Sequence, residues 1–261
     1  MRVLRELVAL MKPRITVMSL LTALTGLGLA PASATPTLIA CALVGTLFLV
    51  GSANTLNMYV ERDIDKKMPR TQNRPLPAGR LAPSVALWFG LAQSVLALPL
   101  LALGTNLLTT ALGAFALLVY VCVYTPLKQH TTLALFVGAV PGAMPPLLGW
   151  TAVTGRIDVA GLALFSVLFF WQVPHFLAIA LLRRDEYTAA GLKVLPAVRG
   201  TQVTKDRILV YLLLQVSVTL MLMPAGLGGT SYLVGAGLLG AFMVGWATYG
   251  WRRPVGDRWA R

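Results

Sequence analysis

The sequence predicts an all-α bundle that crosses a lipid bilayer eight times, and three observations carry that prediction. Charge is scarce, apolar runs of bilayer length recur along the whole chain, and lysine and arginine gather on one side of those runs. Of the 261 residues, 57% are hydrophobic and 12% charged, where a soluble domain carries roughly 25% charged residues. A water-facing surface needs those charges. The shortage, more than the apolar excess, therefore assigns most of the surface to lipid. A mean hydropathy of +0.74 agrees.

A helix needs roughly 20 apolar residues to cross a bilayer. Eight runs meet that length: 15–33, 37–59, 84–103, 107–124, 133–153, 159–180, 208–227 and 231–250. Connections as short as Pro36, Gly104-Thr105-Asn106 and Gly228-Gly229 make the helices they join antiparallel neighbours. Gly138, Pro141, Gly142, Pro145 and Pro146 fall inside the fifth run. There they permit close helix contacts and kinks, with packing the plainer reading and a cavity-lining kink the other.

The basic residues orient the bundle. Arg2, Arg5, Lys12 and Arg14 precede the first run, and Arg62, Lys66, Lys67, Arg70, Arg74 and Arg80 follow the second. Lys128 follows the fourth; Arg183, Arg184, Lys193, Arg199, Lys205 and Arg207 follow the sixth; Arg252, Arg253, Arg258 and Arg261 form the tail. All lie on one side, and only Arg156 lies on the other. Both termini and both long loops are expected in the cytoplasm. The net charge of +13 is then an orientation signal rather than a nucleic-acid footprint. Tyr59, Tyr124, Tyr249 and Trp251 at one set of helix ends, with Trp150 and Tyr232 at the other, suit aromatic belts.

Cys41 and Cys122 lie inside apolar runs without metal or redox spacing, and read as small buried residues. The N-terminal MRVLRELVALMKPRITV shows no small-residue cleavage site and no Ser/Arg-rich leader. A bacterial inner membrane is the expected location. The chain reads as one domain of two four-helix halves, about 1–130 and 131–261, each with a long charged loop after its second helix. Parallel halves of this kind would set both loops over one central cavity.

The first loop, with the helix end before it, reads NMYVERDIDKKMPRTQNRPL from Asn57 to Leu76. At about 100° per residue, Asn57, Glu61 and Asp65 fall within about 80° of one another on one helical face, and Asp63 points elsewhere. Carboxylates at i,i+4 repel, and the helix C-terminus adds partial negative charge. The arrangement needs a positive partner. Mg²⁺ suits it, held by one or two carboxylates together with substrate phosphates. Lys66, Lys67, Arg70 and Arg74 follow directly and could clamp those phosphates. A solvated loop with locally paired charges is the bland alternative, and it fits an aligned Asn and two acids less well.

Helix six ends WQVPHFLAIA from Trp171, and its loop reads RRDEYTAAGLKVLPAVRG from Arg183 to Gly200. Asp185 and Glu186 are adjacent, so on a helix they diverge and only one points inward. His175 lies at membrane depth, where an ionisable group is a functional candidate by default. Its imidazole could serve a functional site or simply hydrogen-bond a neighbouring helix. His130, in a short polar loop, reads as a solvated interfacial residue.

The pattern N-x-x-x-[DE]-x-x-x-D from Asn57 through Glu61 to Asp65, followed by R-T-x-N-R-P-L from Arg70, resembles the first motif of the UbiA superfamily of intramembrane prenyltransferases. Within it, W-x-x-P-H-F (Trp171 to Phe176) and R-x-x-x-Y-x-x-A-G-x-x-x-L-P (Arg183 to Pro196) are similar to the heme-farnesylating members. The resemblance runs from Lys12-Pro13 to the tail beginning at Asp257. It departs from the family in having Glu61 where many relatives use Asp, and in showing eight helical runs where the family usually has nine.

The resemblance implies a UbiA-like fold with a central cavity and transfer of a farnesyl group from farnesyl diphosphate to the 2-vinyl group of heme B, giving heme O. It implies catalytic roles for Asn57, Glu61, Asp65 and Glu186. Diphosphate binding falls to Lys66, Lys67, Arg70, Asn73, Arg74, Arg183 and Lys193. Glu61, Asp65, Asp185 and Glu186 would hold Mg²⁺, and His175 with Trp171 would bind heme, a substrate rather than a cofactor. Its implied partners are the bilayer and a heme A synthase or terminal oxidase, with no nucleic acid. Two other readings stand beside this one. A quinone-precursor prenyltransferase would show a second D-x-x-x-D motif where Asp185-Glu186 stands. A small transporter would place its polar groups nearer the midplane.

Overall fold

The computed structural model describes residues 2–253, and among them every regular element is helical. A short helix α1 (Arg2–Leu10) leads by a 50° bend into α2 (Pro13–Leu29). Then come α3 (Pro36–Asp65), α4 (Pro83–Gly104) and α5 (Leu107–Leu118), the last running through a π-helical segment (Val119–Tyr124) into α6 (Thr125–Leu127). The remaining helices are α7 (Ala134–Thr154), α8 (Val159–Leu182), α9 (Arg184–Ala189), α10 (Leu195–Val198), α11 (Gly200–Leu220) and α12 (Thr230–Trp251). Arg258, Arg261 and the tail motif from Asp257 lie outside the described residues.

Helix starts follow the local chemistry. Thr35 Oγ1 accepts from the Leu38 N–H ahead of Pro36, Asn106 Oδ1 from Thr109, and Asp158 Oδ1 from Gly161, each satisfying a donor that has no partner inside its helix. α7 ends on Gly155 at φ +64°, a left-handed conformation that costs glycine nothing.

The count of eight spans is not matched exactly among the described residues. Six described helices are long and apolar enough to cross a bilayer, or seven if the bent pair α1–α2 is counted as one broken span. The expected run 208–227 departs most. Its helix, α11, starts eight residues earlier at Gly200, through the polar TQVTKDR, and stops at Leu220. Residues 221–227 turn instead, with Gly226 at φ +79°. The polar first turns have a local use, because buried Lys205 donates to the carbonyls of Gly250 and Arg253 at the end of α12.

Packing runs α4–α3–α2–α7–α8–α11–α12, with α5 and the π-helical segment filling in against α3 and α7. α7 packs against both α2 and α8. A Cβ on Gly26 would lie 2.0 Å from the Pro146 carbonyl oxygen, and one on Gly149 would lie 2.0 Å from that of Ala23. Backbones of α2 and α7 therefore touch, which in lipid replaces the missing hydrophobic drive with close van der Waals contact.

α3 sets up the site. Its 30 residues span about 45 Å at 1.5 Å per residue, against a hydrocarbon core of about 30 Å. The expected run stopped at 59, but the helix continues to Asp65. Its last turns carry Asn57, Glu61 and Asp65 out of the apolar layer toward the loops.

Candidate active site on the charged-loop face

Asn57, Glu61 and Asp65 sit on one buried face of α3, at 2%, 9% and 1% exposure. Asp63 turns to solvent, where it pairs with Lys66 at 2.9 Å and Arg62 at 3.8 Å. The positive partners that the acids need come from three different elements. Lys128, just after α6, pairs with Glu61 Oε1, and its ammonium lies 4.5 Å from the centroid of the Tyr124 ring. Arg74 Nη1 meets Asp65 Oδ2 at 2.7 Å. Lys12, in the α1–α2 bend with φ +50°, donates to Asn57 Oδ1 at 3.0 Å.

Asn57 is held from all sides. Its Nδ2 donates to Glu61 Oε2 at 2.9 Å and to Thr125 Oγ1 at 3.1 Å. Thr125 Oγ1 in turn donates to the Tyr120 carbonyl at 2.7 Å. Thr71 Oγ1 donates to the Asp65 carbonyl and folds the first loop back over the helix end. The Lys12 stem is partly exposed while its ammonium is buried. Arg74 and Lys128 lie close enough to act on it electrostatically.

The second loop closes over this cluster. In α9, Glu186 is turned inward and Asp185 is exposed, so the adjacent acids diverge. Glu186 Oε2 pairs with Arg183 at 3.3 Å, and Oε1 faces Arg70 of the first loop at 3.8 Å, linking the two loops. That Oε1 is buried and has no hydrogen-bond partner among the described residues. Two cavities open around it. One of about 620 Å³ is lined by Lys67, Pro69, Arg70, Arg183, Glu186 and Ala189. The other, of about 430 Å³, reaches Leu182, Arg184, Asp185 and Thr201.

Not every expected residue converges. The Lys66 side chain leaves the site for Asp63. Asn73 is exposed, and its part is a carbonyl that accepts from Arg80 at 2.9 Å. The side chain of Lys193 is exposed, but its N–H donates to the Lys128 carbonyl at 3.1 Å and ties the second loop to the end of α6. Among the described residues no three His, Cys, Asp or Glu side chains gather in one metal-ready group. The acids stand as two separate sets, one at the end of α3 and one in α9.

Further down α8, Trp171 and His175 stack at a centroid distance of 4.8 Å and 14° between planes, with Phe176 5.7 Å from the imidazole. All three are exposed, and His175 makes no hydrogen bond among the described residues. Trp171, His175 and Leu182 lie within about 40° of one another around the helix. The stripe that begins with the stacked rings thus ends in the 430 Å³ cavity. His130 is exposed in its turn, as expected.

Residues 19–261 match the UbiA prenyltransferase family. The chain belongs to that family. Its relatives include protoheme IX farnesyltransferases of Sorangium cellulosum, 54% identical over 88% of this chain and 82% of theirs, and of Myxococcus xanthus, 48% identical over 98% and 87%. The UbiA fold is shared with a digeranylgeranylglyceryl phosphate synthase structure, at a TM-score of 0.84, 16% identity, and 100% and 91% coverage. It is shared also with a UbiA homologue of Archaeoglobus fulgidus bound to DMAPP and Mg²⁺, at 0.76, 18%, and 97% and 89%. The chain is a polytopic membrane prenyltransferase of the UbiA fold.

Lys12, Lys128 and Thr125 are the residues that sequence reasoning missed. Both lysines were counted only as orientation signals. The signal available for one of them was faint: Lys128 is the single charge in its short loop.

Proposed function

We propose that this UbiA enzyme, as a single domain, transfers the farnesyl group of farnesyl diphosphate to the 2-vinyl group of heme B. The observation that carries the reading is that one chain holds a cation-ringed acidic site on its loop face and, on a stripe of α8 leading to the same face, an exposed Trp171–His175 stack suited to a flat macrocycle. The relatives at about half identity are named for this reaction.

In the reaction the bond from the farnesyl C1 to the diphosphate oxygen breaks, and diphosphate leaves with the electron pair. The terminal vinyl carbon supplies electrons to the allylic cation, and the new carbon–carbon bond leaves a cation beside the porphyrin. Water adds there and loses a proton, giving the hydroxyethylfarnesyl chain of heme O. Lys67, Arg70, Arg74 and Arg183 bind the diphosphate and stabilise its growing charge. Lys12 and Lys128 stand ready at the same place, and the apolar helices keep water from the cation until the new bond has formed.

Mg²⁺ fits the donors present. Glu61 and Asp65 at the end of α3 and Glu186 with Asp185 in α9 offer hard oxygens, and Glu186 Oε1 has no hydrogen-bond partner among the described residues. Sets of two acids suit an ion that completes its shell with phosphate oxygens and water. Bound there, the ion would supply Lewis-acid stabilisation of the leaving diphosphate.

His175→Ala is expected to weaken heme B binding about tenfold and shift the bound absorption spectrum, with farnesyl diphosphate affinity changed less than twofold. Normal heme binding with lost diphosphate affinity would remove His175 from the porphyrin site. Incubation of the purified protein with heme B, farnesyl diphosphate and Mg²⁺, with mass analysis of the porphyrin, tests the reaction itself.

The loop face is proposed to be the cytoplasmic face of a bacterial inner membrane, from the basic residues that crowd it. Cysteines placed at Asn73 and Lys193 should react with an impermeant maleimide only from the cytoplasm, and one at Gly155 only from outside. Labelling of the two loops from opposite sides would end the single-site reading.

A further inference from the structure

α1 divides its surface three ways. Leu10 is fully buried and Leu7 packs beside it against Met58, Leu76 and Leu81 of the bundle. The helix's one acid, Glu6, turns to the same side and binds Arg80 Nε at 2.9 Å. Leu4 and Val8, one turn apart, point outward at 66% and 45% exposure. Arg5 stands beyond them, exposed, and Arg14 is exposed just past the bend. Neither arginine has an ion pair or hydrogen bond among the described residues.

We infer that α1 is an interfacial helix, its Leu4/Val8 edge sunk into the leaflet on the loop face while Arg5 and Arg14 take anionic phospholipid headgroups. Continuity supports this occupant: beyond the bend the apolar edge passes into exposed Ile15, Val17, Met18 and Leu21 of α2, a span that meets lipid. Charge supports it too, because the pairing of Glu6 with Arg80 leaves only positive groups on the outward side. An apolar edge flanked by arginine at the start of a span is the composition that seats a helix in the headgroup region.

The bend beneath α1 is bound to the site. Asn54 Nδ2 and Thr16 Oγ1 both donate to the Met11 carbonyl, at 3.2 and 2.6 Å, and the next residue, Lys12, reaches Asn57. Lipid contact at α1 thereby fixes the level at which the Lys12 ammonium stands beside the acids.

The test uses the full chain in nanodiscs, without substrates, so its outcome is independent of the reaction proposed above. With Cys41 and Cys122 replaced by alanine, nitroxides are placed singly at positions 4, 8 and 5. Positions 4 and 8 should be open to oxygen and shielded from a nickel chelate, and position 5 the reverse. Adding phosphatidylglycerol to phosphatidylcholine discs should retain the lipid at α1, read as slowed nitroxide motion at position 8 with Arg5 in place. Its apparent affinity should drop about fivefold on Arg14→Gln, in line with the field of an anionic surface. Nickel reaching positions 4 and 8 as freely as position 5 would place α1 in water and overturn the proposal. Equal behaviour in neutral and anionic discs would overturn the headgroup assignment.

Discussion

Asp65→Asn is expected to cut product formation at least about a hundredfold, the scale on which a single charge-stabilising group acts in a transition state. Asp65 is 1% exposed and is the only ion-pair partner of Arg74 among the described residues. Asparagine keeps its shape and removes its charge. The change releases Arg74 and takes one hard oxygen charge from the first acid set, while the apolar spans that insert the protein are untouched. Asp63→Asn is the matched control. Asp63 is exposed and paired at the surface with Lys66 and Arg62, so activity should stay within about twofold, as surface pairs of this kind contribute little. Assaying porphyrin products by mass from the two variants, at equal membrane content, decides it. Wild-type turnover by the Asp65 variant would take that carboxylate out of the chemistry.

Lys128→Met should damage both stability and turnover. Removing one partner of a buried ion pair leaves the other charge uncompensated, at a cost of about 3–5 kcal/mol. Here the stranded group is Glu61, whose remaining contact is the Asn57 amide. A lower melting temperature in detergent is expected together with loss of activity. Adding Glu61→Gln removes the stranded charge, so the double variant should recover most of the melting temperature and none of the activity. That split separates what Lys128 does for folding from what the pair does for the reaction. Equal melting of the single and double variants would mean that the ion pair does not couple the two residues.

Periodicity and charge made the bundle legible because both are forced by the bilayer. An apolar run shows itself by length, as in the long α3, α4 and α8, and the crowding of basic residues shows which ends share a face. α11 was misread for the same reason: its first turns are polar and pack by Lys205 against the end of α12, an interaction that hydropathy does not register. Within the site, Asn57, Glu61 and Asp65 were readable because they belong to one helix, where spacing fixes direction. Their partners Lys12 and Lys128 were not, since 45 and 67 residues separate them from the groups they touch. Sequence spacing carries no information at that range. The divergence of Asp185 and Glu186 was readable, but which of them turned inward depended on Arg70 across the cavity.

The π-helical segment Val119–Tyr124 has a consequence for how such a site is encoded. Its Tyr120 carbonyl accepts from the Thr125 N–H, five residues on, where an α-helix would bond at four. One residue is thereby absorbed without breaking the helix, and everything after it is turned by about 100°. Thr125 and Lys128 owe their aim at Asn57 and Glu61 to that added residue as much as to their own side chains. The specification of this half of the site is thus partly metric, a matter of how many residues precede it in the span. A chain with the same residues but one fewer in that segment would present the threonine and lysine to a different neighbour, with every motif still intact.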